Sequence, residues 1–176
     1  EKYFPNSTMT DILVHSDNVG MVYVSEKLGK DLFYDYAKKF GFGDKTGIDL
    51  QGEDSPILRE KKNWSRIDLA TASFGQGIAI TPIQLLTAVS AIANKGELLR
   101  PKVVKSIVED GQKKFEAPTK RERIISEQAA NQVKEMMIEV VEKGEAKWLK
   151  LNGYRIAGKT GTAQIPIEGH YDPDKT

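Results

Sequence analysis

The run from Ile83 to Asn94 is apolar almost all round, and it is bracketed by strong boundary signals. Thr81 can cap the free N–H groups of a first helical turn. Pro82, at the first helical position, loses no bond it would otherwise have made. Asn94 and Gly96 supply the stop. A helix with apolar residues on every face is normally buried on every side. The segment Pro82 to Asn94 is therefore expected to be the most buried element of the fold.

Other elements are predicted around it. Met9 to Val14 reads as a short helix that runs into Ser16-Asp17-Asn18. Val19 to Leu28 suits a helix packed on two sides. Asp31 to Phe40 places Leu32, Phe33, Tyr36, Ala37 and Phe40 at helical spacing before Gly41-Phe42-Gly43 breaks the pattern. Lys102 to Glu109 is strand-like, Asp110-Gly111 is a hairpin signal, and Gln112 to Phe115 is the return strand. Ser126 opens an amphipathic helix with Ala130, Val133, Met137, Val140 and Val141 on its inner stripe, and Gly144 stops it. Tyr154 to Ile165 reads as a strand whose glycines mark close approaches to the backbone. There is no internal repeat and no low-complexity tract.

Composition excludes several functions. Lys and Arg number 26 against 25 Asp and Glu, a net charge of +1, which argues against a dedicated nucleic-acid binder. The chain has no cysteine, so disulfides, thiolate metal sites and cysteine nucleophiles are out. With only His15 and His170, a histidine-rich metal site is not expected. No stretch approaches ~18 uninterrupted apolar residues. The start, Glu1-Lys2-Tyr3-Phe4-Pro5, reads as an internal segment of a longer protein, and Tyr171 to Thr176 as a surface loop.

Two short motifs carry the chemistry: Ser16-Asp17-Asn18 and Lys159-Thr160-Gly161. Together with an S-x-x-K nucleophile motif, this pair is the signature of penicillin-binding proteins and class A β-lactamases. Each tripeptide alone is weak, and the chain holds a second copy, Lys45-Thr46-Gly47. That copy sits in a glycine-crowded turn. The first sits in the extended segment Ile156 to Gln164 and is the one expected to act. Lys45 is read as an exposed turn lysine.

The resemblance extends to Gly41-Phe42-Gly43 with Thr46-Gly47-Ile48-Asp49-Leu50, to the run Ala72 to Leu85, and to Asn94-Lys95-Gly96 followed by Arg100-Pro101. These stand in family order between the two motifs, which are 143 residues apart. The chain thus resembles the transpeptidase domain of a class B, monofunctional penicillin-binding protein over nearly its whole length. The resemblance implies an α+β fold of the penicillin-binding-protein and serine β-lactamase type, incomplete here and helix-dominated. Residues 1–176 would be the middle and C-terminal part of one such domain.

The resemblance also implies a peptidoglycan D,D-transpeptidase acting on D-alanyl-D-alanine stem peptides through a serine acyl-enzyme, and a target of β-lactam antibiotics. Ser16 would relay a proton between the motif lysine and the leaving group. Asn18 would hold the substrate amide and that lysine. Lys159 would supply positive field, Thr160 and Thr162 would bind the substrate carboxylate, and Gly161 would open a strand edge to the substrate. Gln164 completes the expected substrate-binding set. No metal and no cofactor is implied. The implied partners are stem peptides and the glycosyltransferase and envelope proteins of elongation or division. The implied place is the outer face of the cell membrane, with the anchor outside this chain.

None of the serines has a lysine three positions on, so the S-x-x-K nucleophile is not within these residues. Two other readings remain open at this stage. A class A β-lactamase would need a carboxylate to activate water, and no Glu-x-x-Leu-Asn segment lies between the motifs. A non-catalytic scaffold would not need the intact motif residues. Among neighbouring residues, His15 is read as a helix-end or groove residue, Gln76 as structural, and Trp64 and Trp148 as packing residues.

Overall fold

The computed structural model describes residues 5–115, 120–164, 166–167 and 170–171. Six helices dominate: α1 (Met9–Val14), α2 (Asn18–Leu28), α3 (Lys30–Lys39), α4 (Arg66–Ser73), α5 (Pro82–Ala93) and α6 (Glu127–Lys143). The described strands form three separate antiparallel ribbons. They pair β1 (Glu97–Leu99) with β4 (Lys120–Arg123), β2 (Ser106–Glu109) with β3 (Gln112–Phe115), and β5 (Pro166–Ile167) with β6 (His170–Tyr171). The chain folds into two compact units. One comprises Glu1–Phe33, Glu60–Ile78 and Val133–Thr176; the other comprises Tyr34–Arg59 and Ala79–Gln132.

In the first unit, α1 is nucleated by a capping box in which Thr8 and Asp11 satisfy each other's backbone N–H groups. Its last residue, Val14, enters a core with Val140, Val141 and Ala146, against which Leu13, Leu149 and Ile156 pack. That cluster fixes the chain just before Ser16 and just before Lys159. Gly144 stands where a Cβ would lie 2.7 Å from both the Val14 and Val140 carbonyl oxygens, so the end of α6 can meet the end of α1 only through glycine. At the other end of the unit, buried Trp64 stacks at a tilt on Phe33, and Ser65 caps α4 through a second box with Asp68.

In the second unit, Ala91, Leu98 and Ile124 form the core, with Phe40 and Ile125 against it. Asp110 and Gly111 both take positive φ, which matches the two-residue turn expected of the β2–β3 hairpin. The strand before this turn starts only at Ser106, later than the pattern from Lys102 suggested.

Three expectations need correction. The helix α5 has the predicted start, with Thr81 capping and Pro82 in the first turn, but it is not the most buried element. Leu85 is 48% exposed, Leu86 61% and Val89 40%. Its buried face instead carries Gln84 and Thr87, whose polar groups are satisfied internally. The Gln84 amide donates to the Asp44 carbonyl at 2.8 Å and to Ser55 Oγ at 3.3 Å, and Thr87 Oγ1 donates to the Ile83 carbonyl at 2.7 Å. Among the described residues nothing covers the leucine face. The second correction is that residues 154–164 form no strand. A strand is defined by a ladder, and this segment instead has the Tyr154 N–H donating to the Leu151 carbonyl and the Gly158 N–H donating to the Met137 carbonyl on α6, each at 3.2 Å. Ile165 lies outside the described residues, as do the side chain of His170 and residues 172–176. Third, Trp148 is 76% exposed and is not a packing residue.

Candidate functional site

Ser16 owes its position to an unusual helix end. Helix α1 closes with the Asp17 N–H donating to the Ile12 carbonyl at 2.9 Å and the Ser16 N–H donating to the Leu13 carbonyl at 3.3 Å. This is the double hydrogen bond of a Schellman ending, in which the residue after the cap adopts the left-handed conformation and is usually glycine. Here that residue is Ser16, with φ of 51°. A side chain held in this region costs on the order of 1 kcal/mol or more, and such strain gathers at functional positions. Ser16 is therefore not a helix N-cap. Asp17 occupies the cap position of α2 but makes no capping bond with its side chain, and Asn18 opens the helix with its own side chain exposed. Gly20, one turn along, lets α2 pass α1, since a Cβ there would lie 2.7 Å from Ile12 Cγ1.

Lys159 arrives from the other side of the same core. Its ammonium donates to Ser16 Oγ at 2.9 Å, to the Thr160 carbonyl at 2.9 Å and to Thr160 Oγ1 at 3.3 Å. All three N–H bonds of one charge are thus directed, and the charge sits on the serine hydroxyl. Burial lowers the Lys159 pKa below the ordinary lysine value, and the Glu145 carboxylate acts in the opposite direction. Folding lowers this group's affinity for a proton, so it opposes folding while the pH is below its folded pKa. That penalty fades as pH rises through that value.

Around this contact lies a cavity of about 630 Å³, within the size range of small-ligand sites. Its lining takes in Ser16, Asn18, Lys159, Thr160, Gly161, Thr162 and Gln164, every residue singled out from the two motifs. Asn18, Thr162 and Gln164 have no side-chain hydrogen-bond partner among the described residues, so their polar groups are open to a ligand. A Cβ built on Gly161 meets nothing within 4 Å, which leaves the backbone there approachable. His15 caps α1 and lines the cavity. Gln76, expected to be structural, also lines it, as do Phe74 and Glu145. Glu145 escaped the sequence reading because an acid just past a helix end looks like a solvated one. Among the described residues no group of three or more His, Asp or Glu side chains is placed to hold a metal ion.

The second copy of the Lys-Thr-Gly motif belongs to the other unit and has a different use. Thr46 is buried, and its N–H and Oγ1 both donate to Glu53 Oε1 at 2.6 Å, while the Gly47 N–H donates to Glu53 Oε2 at 3.0 Å. Its carboxylate-binding donors are thus filled by the chain's own glutamate. Lys45 is exposed, as expected.

Ser16→Gly should raise thermal stability. Glycine relieves the left-handed strain, a gain of up to roughly 1 kcal/mol, and removes the hydroxyl that accepts from Lys159. Thermal unfolding of the variant checks this; a lowered melting temperature would remove the strain argument.

Comparison with known proteins follows the same lines. The family model described as penicillin binding protein transpeptidase domain matches residues 1–175. Stage V sporulation protein D of Bacillus subtilis is 40% identical over 167 residues, which covers 93% of this chain and 26% of that protein. Peptidoglycan D,D-transpeptidase FtsI of Escherichia coli is 34% identical over 166 residues, covering 93% of this chain and 27% of that protein. Among solved structures, penicillin-binding protein 3 of Mycobacterium tuberculosis in complex with aztreonam superposes with a TM-score of 0.89 at 34% identity. It matches 95% of this chain and 40% of that one. The chain thus spans about a quarter of the length of these curated relatives.

Proposed function

The chain belongs to the penicillin-binding protein transpeptidase family, and we propose that it is part of a peptidoglycan D,D-transpeptidase that cross-links stem peptides through a serine acyl-enzyme. The observation that carries the reading is the 2.9 Å hydrogen bond from Lys159 Nζ to Ser16 Oγ, across 143 residues of sequence. It supports a site in which a lysine field and a serine relay converge on one reacting centre.

A serine hydroxyl is a weak nucleophile until a neighbouring group takes its proton. In this reading the attacking serine and its S-x-x-K lysine come from a part of the full protein outside these 176 residues. Ser16 passes the proton toward the departing D-alanine nitrogen, and Lys159 orients Ser16 and lowers the cost of negative charge on the oxygens that react. Asn18 binds the amide of the substrate. Thr160 and Thr162 donate to its terminal carboxylate, as Thr46 does to Glu53 in the second unit. Gly161 leaves room for the substrate backbone to lie alongside, and Gln164 extends that edge. Residues 1–176 belong to one catalytic domain on the outer face of the cell membrane. β-Lactams occupy the donor position as substrate mimics, and glycosyltransferase and envelope proteins of elongation or division are its working partners.

The test is a fluorescent-penicillin gel comparing this chain alone with the full-length protein. The full-length protein should carry a band that survives denaturation, and the chain alone should carry none, because none of its serines has the lysine partner. A stable band on the chain alone that maps to Ser16 would make Ser16 the nucleophile rather than the relay. A full-length protein that takes no label would remove the transpeptidase reading.

A further inference from the structure

We infer that Glu145 selects the acyl acceptor, its carboxylate drawing a cationic primary amine into the cavity that Ser16 and Lys159 share. The inference rests on the transpeptidase reading and adds to it the side from which the second substrate is recognised.

Glu145 lines the same cavity as Lys159. Its carboxylate is exposed and has no hydrogen bond or ion pair among the described residues, whereas Glu135 pairs with Arg155, Glu142 with Lys150 and Glu26 with Arg66. Its place is also unfavourable for a structural acid. It follows the C-terminal end of α6, where the unpaired carbonyls already present negative partial charge and a cation is the stabilising choice. Exposed at the cavity and bonded to no side chain, the carboxylate is open to a cation from solution.

Donor and acceptor differ in charge. The donor end of the substrate carries a carboxylate, which Lys159, Thr160 and Thr162 suit. The acceptor is an amine that is an ammonium at neutral pH, and a cavity lined by the Lys159 ammonium alone would repel it. Glu145 offsets that repulsion, and it acts on Lys159 in the direction that keeps the lysine charged. In the second half-reaction the acyl–oxygen bond to the attacking serine breaks and the acyl–nitrogen bond forms. Starting from the ammonium, one proton leaves to solvent to free the nitrogen lone pair and a second returns to the serine oxygen. Glu145 binds the ammonium before the first of these leaves.

The experiment uses the full-length protein as wild type, Glu145→Gln and Glu145→Asp, with a D-alanyl-D-alanine donor peptide. Two acceptors compete: a tripeptide carrying a lysine side-chain amine, and hydroxylamine, which is neutral at the same pH. Glu145→Gln should lower the preference for the ammonium acceptor over hydroxylamine by about two- to fivefold. Glu145→Asp should keep most of it, and added salt should shrink the wild-type preference toward that of the Gln variant. An acyl-enzyme that forms with an unchanged acceptor ratio in Glu145→Gln overturns this inference alone. No acyl-enzyme in the wild type overturns the transpeptidase reading, and this inference with it.

Discussion

The full-length protein carrying Lys159→Ala should acylate with penicillin about 10²–10³-fold more slowly than wild type, the usual effect of deleting a positioned donor at a site of developing charge. The expectation follows from how fully the ammonium is committed. Its three donors go to Ser16 Oγ, the Thr160 carbonyl and Thr160 Oγ1, so no other side chain inherits its position when it is removed. The pH dependence carries the same information with a sign. The charged form of Lys159 predominates below its folded pKa, and burial has lowered that value. The contribution of the charge is therefore present below that value and is lost as pH rises through it, beginning below the range of an exposed lysine. Lys159→Arg keeps the charge to higher pH, but a planar guanidinium cannot direct three bonds from one point. That variant should be slow at neutral pH and flatter on the alkaline side. Stopped-flow acylation across pH measures both, and an Ala variant as fast as wild type would take Lys159 out of the mechanism.

Much of this arrangement is legible in sequence, and the exceptions have physical reasons. The start of α5 follows from Thr81-Pro82, the hairpin from Asp110-Gly111, and the end of α6 from Gly144, because each depends on local backbone chemistry. The burial of α5 depends on what lies beside it, which no local pattern encodes. The all-apolar run thus suggested a buried leucine face, and the structure buries Gln84 and Thr87 instead, with their polar groups satisfied. Tyr154 to Ile165 reads as a strand with glycines along it, but a ladder needs a partner strand, and among the described residues 154–164 pair with none. Helix α4 went unread because Arg66 to Ser73 mixes small, polar and charged residues without a stripe; its capping box, Ser65 with Asp68, was the available signal.

The two motifs converged on one cavity in sequence reasoning because the family resemblance supplied the pairing. What could not be read is how Ser16 is presented. The left-handed position of a Schellman ending is read from glycine, and a serine there leaves no trace in composition or periodicity. The same holds for Glu145. Its meaning lies in a missing partner and a helix dipole, and both are facts of three dimensions.

Gly144→Ala should destabilise the full-length protein by about 1–3 kcal/mol, the range for forcing an extra carbon into packed structure, and should slow acylation beyond what the loss of folded protein explains. The added Cβ would sit 2.7 Å from the carbonyl oxygens of Val14 and Val140. Both are backbone atoms, so neither can swing aside as a side-chain tip would. Relief must come from moving the end of α1 or the end of α6. Moving α1 carries Ser16, two residues beyond Val14, away from Lys159, and a displacement of about 1 Å at a reacting geometry can cost about 10²-fold in rate. Gly158→Ala is the control. Its Cβ would meet Val141 Cγ2 at 3.3 Å, a longer approach and to a side-chain methyl rather than to backbone, so it should cost less in both measurements. Chemical unfolding followed by acylation kinetics under folding conditions separates the two effects. Equal losses for the two alanines, or a Gly144→Ala protein that keeps wild-type kinetics once folded, would show that the contact between α1 and α6 does not set the position of Ser16.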